Sequence, residues 1–356
     1  MAHAFSSEAQ IALAAGVALA ACACALLLLA TIIVMRSWRR LRHWGLAKQE
    51  QAWRRAMQEA MDDPGAGALP PISRIDLPDF LMMWNRLQET LRGKAADNMG
   101  ELLRRHGLAE RALRLLRHGS LRSRLIAMTS LGHLRDERAW PVLEVLSRDS
   151  GTVVSFAAAR ALLRIEPRRA LDALSPSIIH RDDWSIARLG CIFAELGPAL
   201  VTPTLTTMLI ARPRKGLDRV VKLAKFGERS RVAPIVRGWL SASDDMDVIV
   251  AALDYVEDIQ ELPWVKGASG HAEWRVRMSA AKALGRVGSA SELSTLLELL
   301  QDSVWWVRYH AAQALTKLHG MTPEELKIIR EKARDHFAAD MLAHALAEMP
   351  RRNNRQ

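Results

Sequence analysis

The sequence predicts an all-α protein: an α-solenoid of helical pairs, preceded by a single transmembrane helix. Three observations carry this expectation. Of 356 residues, 49% are apolar and 25% charged, with only two Tyr and six Phe, while Ala and Leu recur throughout. Such a composition folds rather than staying disordered, and it favours helices over sheets. An uncharged run of twenty-five residues extends from Ile11 to Met35. Beyond it, a pattern of small and apolar residues returns every 30 to 31 positions. The cysteines exclude a disulfide-built secreted module, because Cys22 and Cys24 lie inside the apolar run and Cys191 stands alone.

The elements follow in order along the chain. Residues 1–10 form a short extracytoplasmic N-terminus. Residues 11–35 span about 37 Å as a helix, enough for a hydrocarbon core of roughly 30 Å. The leader carries Glu8 and no Lys or Arg, which argues against a cleaved signal peptide. Arg36, Arg39, Arg40 and Arg42 crowd the C-terminal flank, with Trp38 and Trp44 among them. Those residues are expected at the membrane interface and against anionic lipid. Their charge bias predicts a single-pass protein of a bacterial inner membrane, N-terminus outside and solenoid in the cytoplasm. Residues 36–61 read as a basic juxtamembrane helix. Pro64, Gly65, Gly67, Pro70 and Pro71 make 62–73 a linker. N-terminal capping helices are expected over 74–120, repeats over 121–320, C-terminal capping helices over 321–349 and a disordered tail over 350–356. The C-terminal cap opens on Thr322-Pro323-Glu324-Glu325, an N-cap followed by proline at the first helical position.

The repeat is clearest near the C-terminus. Trp274-Arg275-Val276-Arg277 is followed by Ala280-Ala281 and Ala283-Leu284, and thirty-one residues later Trp305-Trp306-Val307-Arg308 is followed by Ala311-Ala312 and Ala314-Leu315. Stepping back from Leu284, apolar residues stand at Leu253, Leu223, Phe193, Leu162 and Leu131, at spacings of 31, 30, 30, 31 and 31. That period holds two short helices and two turns. Neither helix buries its apolar stripe alone, so the pairs must stack. The pattern Asp302, Trp306-Val307-Arg308, Ala311-Ala312, Ala314-Leu315 resembles the HEAT-repeat family in its short bacterial form, also seen in phycobilin-lyase-like proteins. The likeness is strong over 272–318 and 121–166 and weak over 185–271, where the Val-Arg position becomes Trp184-Ser185-Ile186 or Leu217-Asp218-Arg219. It implies a solenoid and a role in holding other proteins; it does not imply a particular function.

No catalytic constellation is legible. The eleven His form no metal-spaced set, and neither a phosphate-cradling glycine loop nor a nucleophile elbow occurs. The chain is therefore expected to be no enzyme, with no cofactor and no metal. What the period does suggest is a surface. Arg164, Lys225, Tyr255, Arg286 and Lys317 sit two residues past the Leu284 phase, and Arg160 and Lys282 two before it. These positions should face away from the core; the family resemblance makes that face the concave one. With Trp305 they form the expected partner-binding set. Adjacent Trp305 and Trp306 cannot both point inward at a helix start. Arg277, Asp302 and Arg308 are expected to brace the turns. The leading expectation is a membrane-anchored cytoplasmic scaffold that binds a protein. The resemblance hints at an inner-membrane enzyme complex, such as a polysaccharide-synthesising glycosyltransferase. The alternatives are a nucleic-acid-binding protein using a basic face, which the expected anchor disfavours, and a lyase-like enzyme.

Overall fold

A computed structural model describes residues 24, 26–31, 33–35, 49–65, 68–213, 215–333 and 335–348. The expected membrane helix requires correction. Of the run from 11 to 35, only positions 24, 26–31 and 33–35 are described, as an exposed helical stretch. Among the described residues, no helix is long and apolar enough to cross a membrane. The fold is thus an all-α, HEAT-like solenoid, and the anchored single-pass topology is withdrawn. Arg36, Trp38, Arg39, Arg40, Arg42 and Trp44 lie outside the described residues, and the lipid contact expected of them is withdrawn with the anchor.

Two compact units divide the chain, 1–136 and 137–356. In the first, helix α1 (49–62) is followed by α2 (Leu77–Thr90), α3 (Lys94–Arg105), α4 (Leu108–His118) and α5 (Leu121–Leu134). Its core is aromatic and thioether-rich: Trp53, Met57, Phe80, Trp84 and Met99 are fully buried, and Trp53 meets Phe80 edge-on with centroids 5.4 Å apart. Buried polar groups tie the helices together. Trp84 Nε1 donates to the Met99 carbonyl at 3.1 Å, and Asn85 Nδ2 to that of Ile126 at 3.1 Å. Ser130 Oγ returns a bond to Asn85 Oδ1 at 2.9 Å. Arg111 holds the proline-bearing connection by donating to the carbonyls of Ile72 and Ser73, both at 2.9 Å.

The second unit runs α6 (Trp140–Ser147), α7 (Thr152–Ile165), α8 (Pro167–His180), α9 (Ile186–Leu196), α10 (Pro198–Ile210), α11 (Leu217–Leu223), α12 (Arg229–Ala242), α13 (Met246–Tyr255), α14 (Leu262–Ser269), α15 (Trp274–Val287), α16 (Leu293–Leu299), α17 (Trp305–Leu315), α18 (Pro323–Lys332) and α19 (His336–Glu348). The helices stack in two rows. One row runs α9, α11, α13, α15, α17 and α19, each packed on the next; α8 to α10 to α12 and α14 to α16 form the other. Most of these helices have 7 to 14 residues, too few to be stable alone in water. From α13 to α19 the helices share the core of Leu253, Val276, Leu284, Leu296, Val307, Leu315, Leu326 and Leu342.

Small residues set how closely the rows pack. Ala280, Ala281, Ala283 and Gly285 of α15 are buried against α17, which offers Ala311, Ala312 and Ala314. The approach is tightest at Gly285, where a Cβ would stand 2.8 Å from both Cα and Cβ of Ala314. Sterics there override the ordinary helical preference for Ala over Gly. Gly285→Ala should lower stability by about 1–3 kcal/mol through overpacking. Gly238→Ala, in α12 with open space around it, should raise stability by about 0.5–1 kcal/mol. Denaturant unfolding of the two variants checks the opposite signs; equal effects would contradict the packing.

Candidate partner-binding face

Most of the arginines that mark the repeats turn inward to backbone. Arg277 donates through Nε and Nη2 to the Asp302 carboxylate at 2.6 and 3.0 Å, and through Nη1 to the carbonyls of His271 and Ala272 at 2.9 and 2.8 Å. Asp302 Oδ1 also accepts the Val304 N–H at 2.8 Å. Burial pushes the Asp302 carboxyl up, but the bonds from Arg277 and Val304 and the charges of Arg277 and Arg308 outweigh it and hold it below its usual value. Arg308 does not take that carboxylate. It donates to the carbonyls of Asp302 and Ser303 at 2.7 and 3.1 Å, so Asp302 joins one repeat to the next.

Equivalent braces occur elsewhere along the stack. Arg181 donates to the Asp149 carbonyl at 2.6 Å and grips Asp183, which the Arg181 and Thr152 hydrogen bonds hold well below the usual carboxylate range. Buried Arg219 reaches the carbonyls of Trp184 and Ile178 at 2.7 and 3.3 Å. Glu261, only 2% exposed, accepts from Arg229 and from the backbone N–H groups of Glu257 and Asp258. Arg219 stands one helix turn off the repeat phase, but Glu261 keeps it: Glu292, thirty-one residues on, is likewise 2% exposed at the end of a 3-10 helix.

The expected basic ladder is divided accordingly. Arg160 is exposed on α7. Arg164 lies 3.8 Å from Glu195. Lys225 sits in a 3-10 turn with its ammonium 5.3 Å from the centre of the Phe226 ring. Tyr255 is 7% exposed, its ring covered by Arg229 at 5.0 Å. Burial, tempered by that guanidinium, pushes its phenol up. Arg286 donates to the Leu253 and Val256 carbonyls at 2.6 and 3.1 Å, capping the end of α13. Its burial there lowers its pKa against the pull of Asp254 and Glu257. Lys282 and Lys317 make no hydrogen bond or ion pair among the described residues, and the charges of both act on His310 of α17.

That helix begins with four aromatic side chains off its core stripe. Val307, Ala311, Ala314 and Leu315 take the interior, leaving Trp305 and Tyr309, and Trp306 and His310, as pairs one turn apart. Trp305 is 41% exposed and Trp306 50%, so both members of the adjacent pair face solvent. The Trp305 and Tyr309 rings stack with centroids 5.2 Å apart and planes 10° from parallel. Trp306 lies over His310 at 6.4 Å and meets Trp305 edge-on at 4.7 Å. From α19, His344 approaches the Tyr309 ring at 6.1 Å, and Glu348 accepts from Gln313. Tyr309 and His310 escaped the sequence reading, although their four-residue spacing from the tryptophans on a helix was a usable signal.

Burial, then the charges of Lys282 and Lys317, lower the His310 pKa from 6.5 to about 4. No group of three or more His, Cys, Asp or Glu among the described residues is placed to hold a metal ion.

The family described as HEAT repeats matches residues 261–349, the part of the chain that holds this face. No curated protein matches the chain. The fold overlaps the crystal structure of Kap121p at a TM-score of 0.42 and 16% identity, covering 85% of this chain and 41% of that one. Kap121p bound to Pho4p gives 0.38 and 14%, covering 76% and 41%. Human deoxyhypusine hydroxylase in complex with glycerol gives 0.28 and 17%, covering 77% and 98%. The chain therefore spans less than half the length of Kap121p.

The depressed His310 pKa has a signed consequence. The unfolded chain takes up the proton first, so the stability His310 contributes is complete above pH 6.5 and is lost as pH falls through about 4. His310→Gln should flatten the fall of Tm across that interval. An unchanged pH profile in differential scanning fluorimetry would contradict the assignment.

Proposed function

We propose that this chain is a non-catalytic, protein-binding helical-repeat scaffold whose partner docks on the first turns of α17. The observation that supports the reading is the pair of solvent-facing tryptophans, Trp305 and Trp306, braced by the half-buried Tyr309 ring. Large aromatic rings left in water at this density have an evident use in association, where Trp and Tyr recur as binding anchors. The rings brace one another and lose little rotamer freedom when covered, which favours affinity. The solenoid supplies a stiff support for them, since α17 is fixed by α15, α16 and α19.

The nucleic-acid alternative draws less support. Arg164 faces Glu195, Arg286 caps backbone carbonyls and Arg277 holds Asp302. A backbone-tracking surface needs a continuous run of free cations.

Trp305→Ala/Trp306→Ala tests the proposal. Both side chains are exposed, so Tm should stay within a degree or two of wild type. In quantitative affinity capture from the native host, proteins retained by the wild-type chain should be lost from the double variant. Retention of the same proteins by both would contradict the reading.

A further inference from the structure

The tight contact of Gly285 with Ala314 fixes the register of α15 against α17. Counting back one turn from each brings Lys282 and His310 together, and counting forward from Ala314 brings in Lys317. The charges acting on His310 are those two lysines, while α19 directs His344 and Glu348 at Tyr309 and Gln313. Two ammonium charges thus act on one imidazole, and neither has an acidic partner among the described residues. A cation without a counterion attracts an arriving anion, and an anion over the imidazole would answer both charges. The aromatic rings lie alongside: Trp306 stacks over His310, and Tyr309 meets it at 5.1 Å.

Resting on the protein-binding reading above, we propose that this face recognises an acidic linear segment of a partner protein. A carboxylate of the segment sits over His310 within reach of the Lys282 and Lys317 charges, and a neighbouring apolar side chain lies on Trp306 and Tyr309. The charge pattern favours a short acidic peptide over a nucleic acid. Two free cations match one or two carboxylates, whereas the next arginines, Arg277, Arg286 and Arg308, are spent on Asp302 and on backbone carbonyls.

The test uses the full chain and a short fluorescein-labelled peptide of alternating Glu and Leu, read by fluorescence anisotropy. The Glu peptide should bind at least about tenfold more tightly than its Gln counterpart. Lys282→Glu and Lys317→Glu should each weaken it by about tenfold, and the neutral variants Lys282→Met and Lys317→Met by less. Saturation should also raise the His310 pKa, followed by NMR of carbon-labelled histidine, because the carboxylates offset the two lysines. Equal binding of the Glu and Gln peptides, no binding of either, or displacement by oligouridine at lower concentration would overturn the proposal. If the Trp305→Ala/Trp306→Ala variant loses peptide while the lysine variants keep it, the acidic preference fails and the docking face stands. If none of these variants changes binding, both fail.

Discussion

Short helices that cannot bury their apolar stripes alone must share a core, and here the closeness of that sharing is set by small side chains. Ala280, Ala281 and Gly285 of α15 let α17 approach until Gly285 has no room for a Cβ. Everything on the candidate face depends on this contact. It fixes the register that places Lys282 beside His310, and it directs Trp305, Trp306 and Tyr309 outward, because the interior turn positions are already filled by Val307, Ala311 and Ala314. A larger residue at 285 would move the face as well as the core.

The second constraint is the exposed backbone of many helix ends. A stack of short helices carries more terminal carbonyls per residue than a bundle of long ones, and those carbonyls need donors. Arginine, with several donors in a planar fork, meets the need at Arg181, Arg219, Arg277, Arg286 and Arg308. This is where a substantial part of the chain's excess of 50 basic over 39 acidic residues is used. Net charge alone therefore overstates the basic surface left for a partner, and the free cations near α17 gain significance by contrast.

The repeat period was legible because core packing demands small and apolar residues at fixed positions, and the two matched segments fall in α15 and α17. Over 185–271 the pattern fades because other residues perform the brace: Arg219 holds its turn from a position one helix turn off the period, and Glu261 holds another. The candidate face was half legible. Trp305, Lys282 and Lys317 were singled out, but Tyr255 and Arg286 share their phase and are committed to contacts within the fold. Phase along a helix reports direction, and it does not report whether a long side chain curls back to the backbone. The apolar run from Ile11 marks the opposite failure. Hydropathy suggested a crossing helix, yet among the described residues no helix has the length and apolarity for one.

The central claim is that the aromatic turn of α17 is the covered surface when the protein works. Hydroxyl-radical footprinting of the chain inside its native cells, compared with the purified chain, tests this directly by mass spectrometry. The account predicts that Trp305, Trp306 and Tyr309 are oxidised in the purified chain and protected in the cell, while exposed Phe337 and Met246 change little. Equal oxidation of the three aromatics in both settings would contradict it.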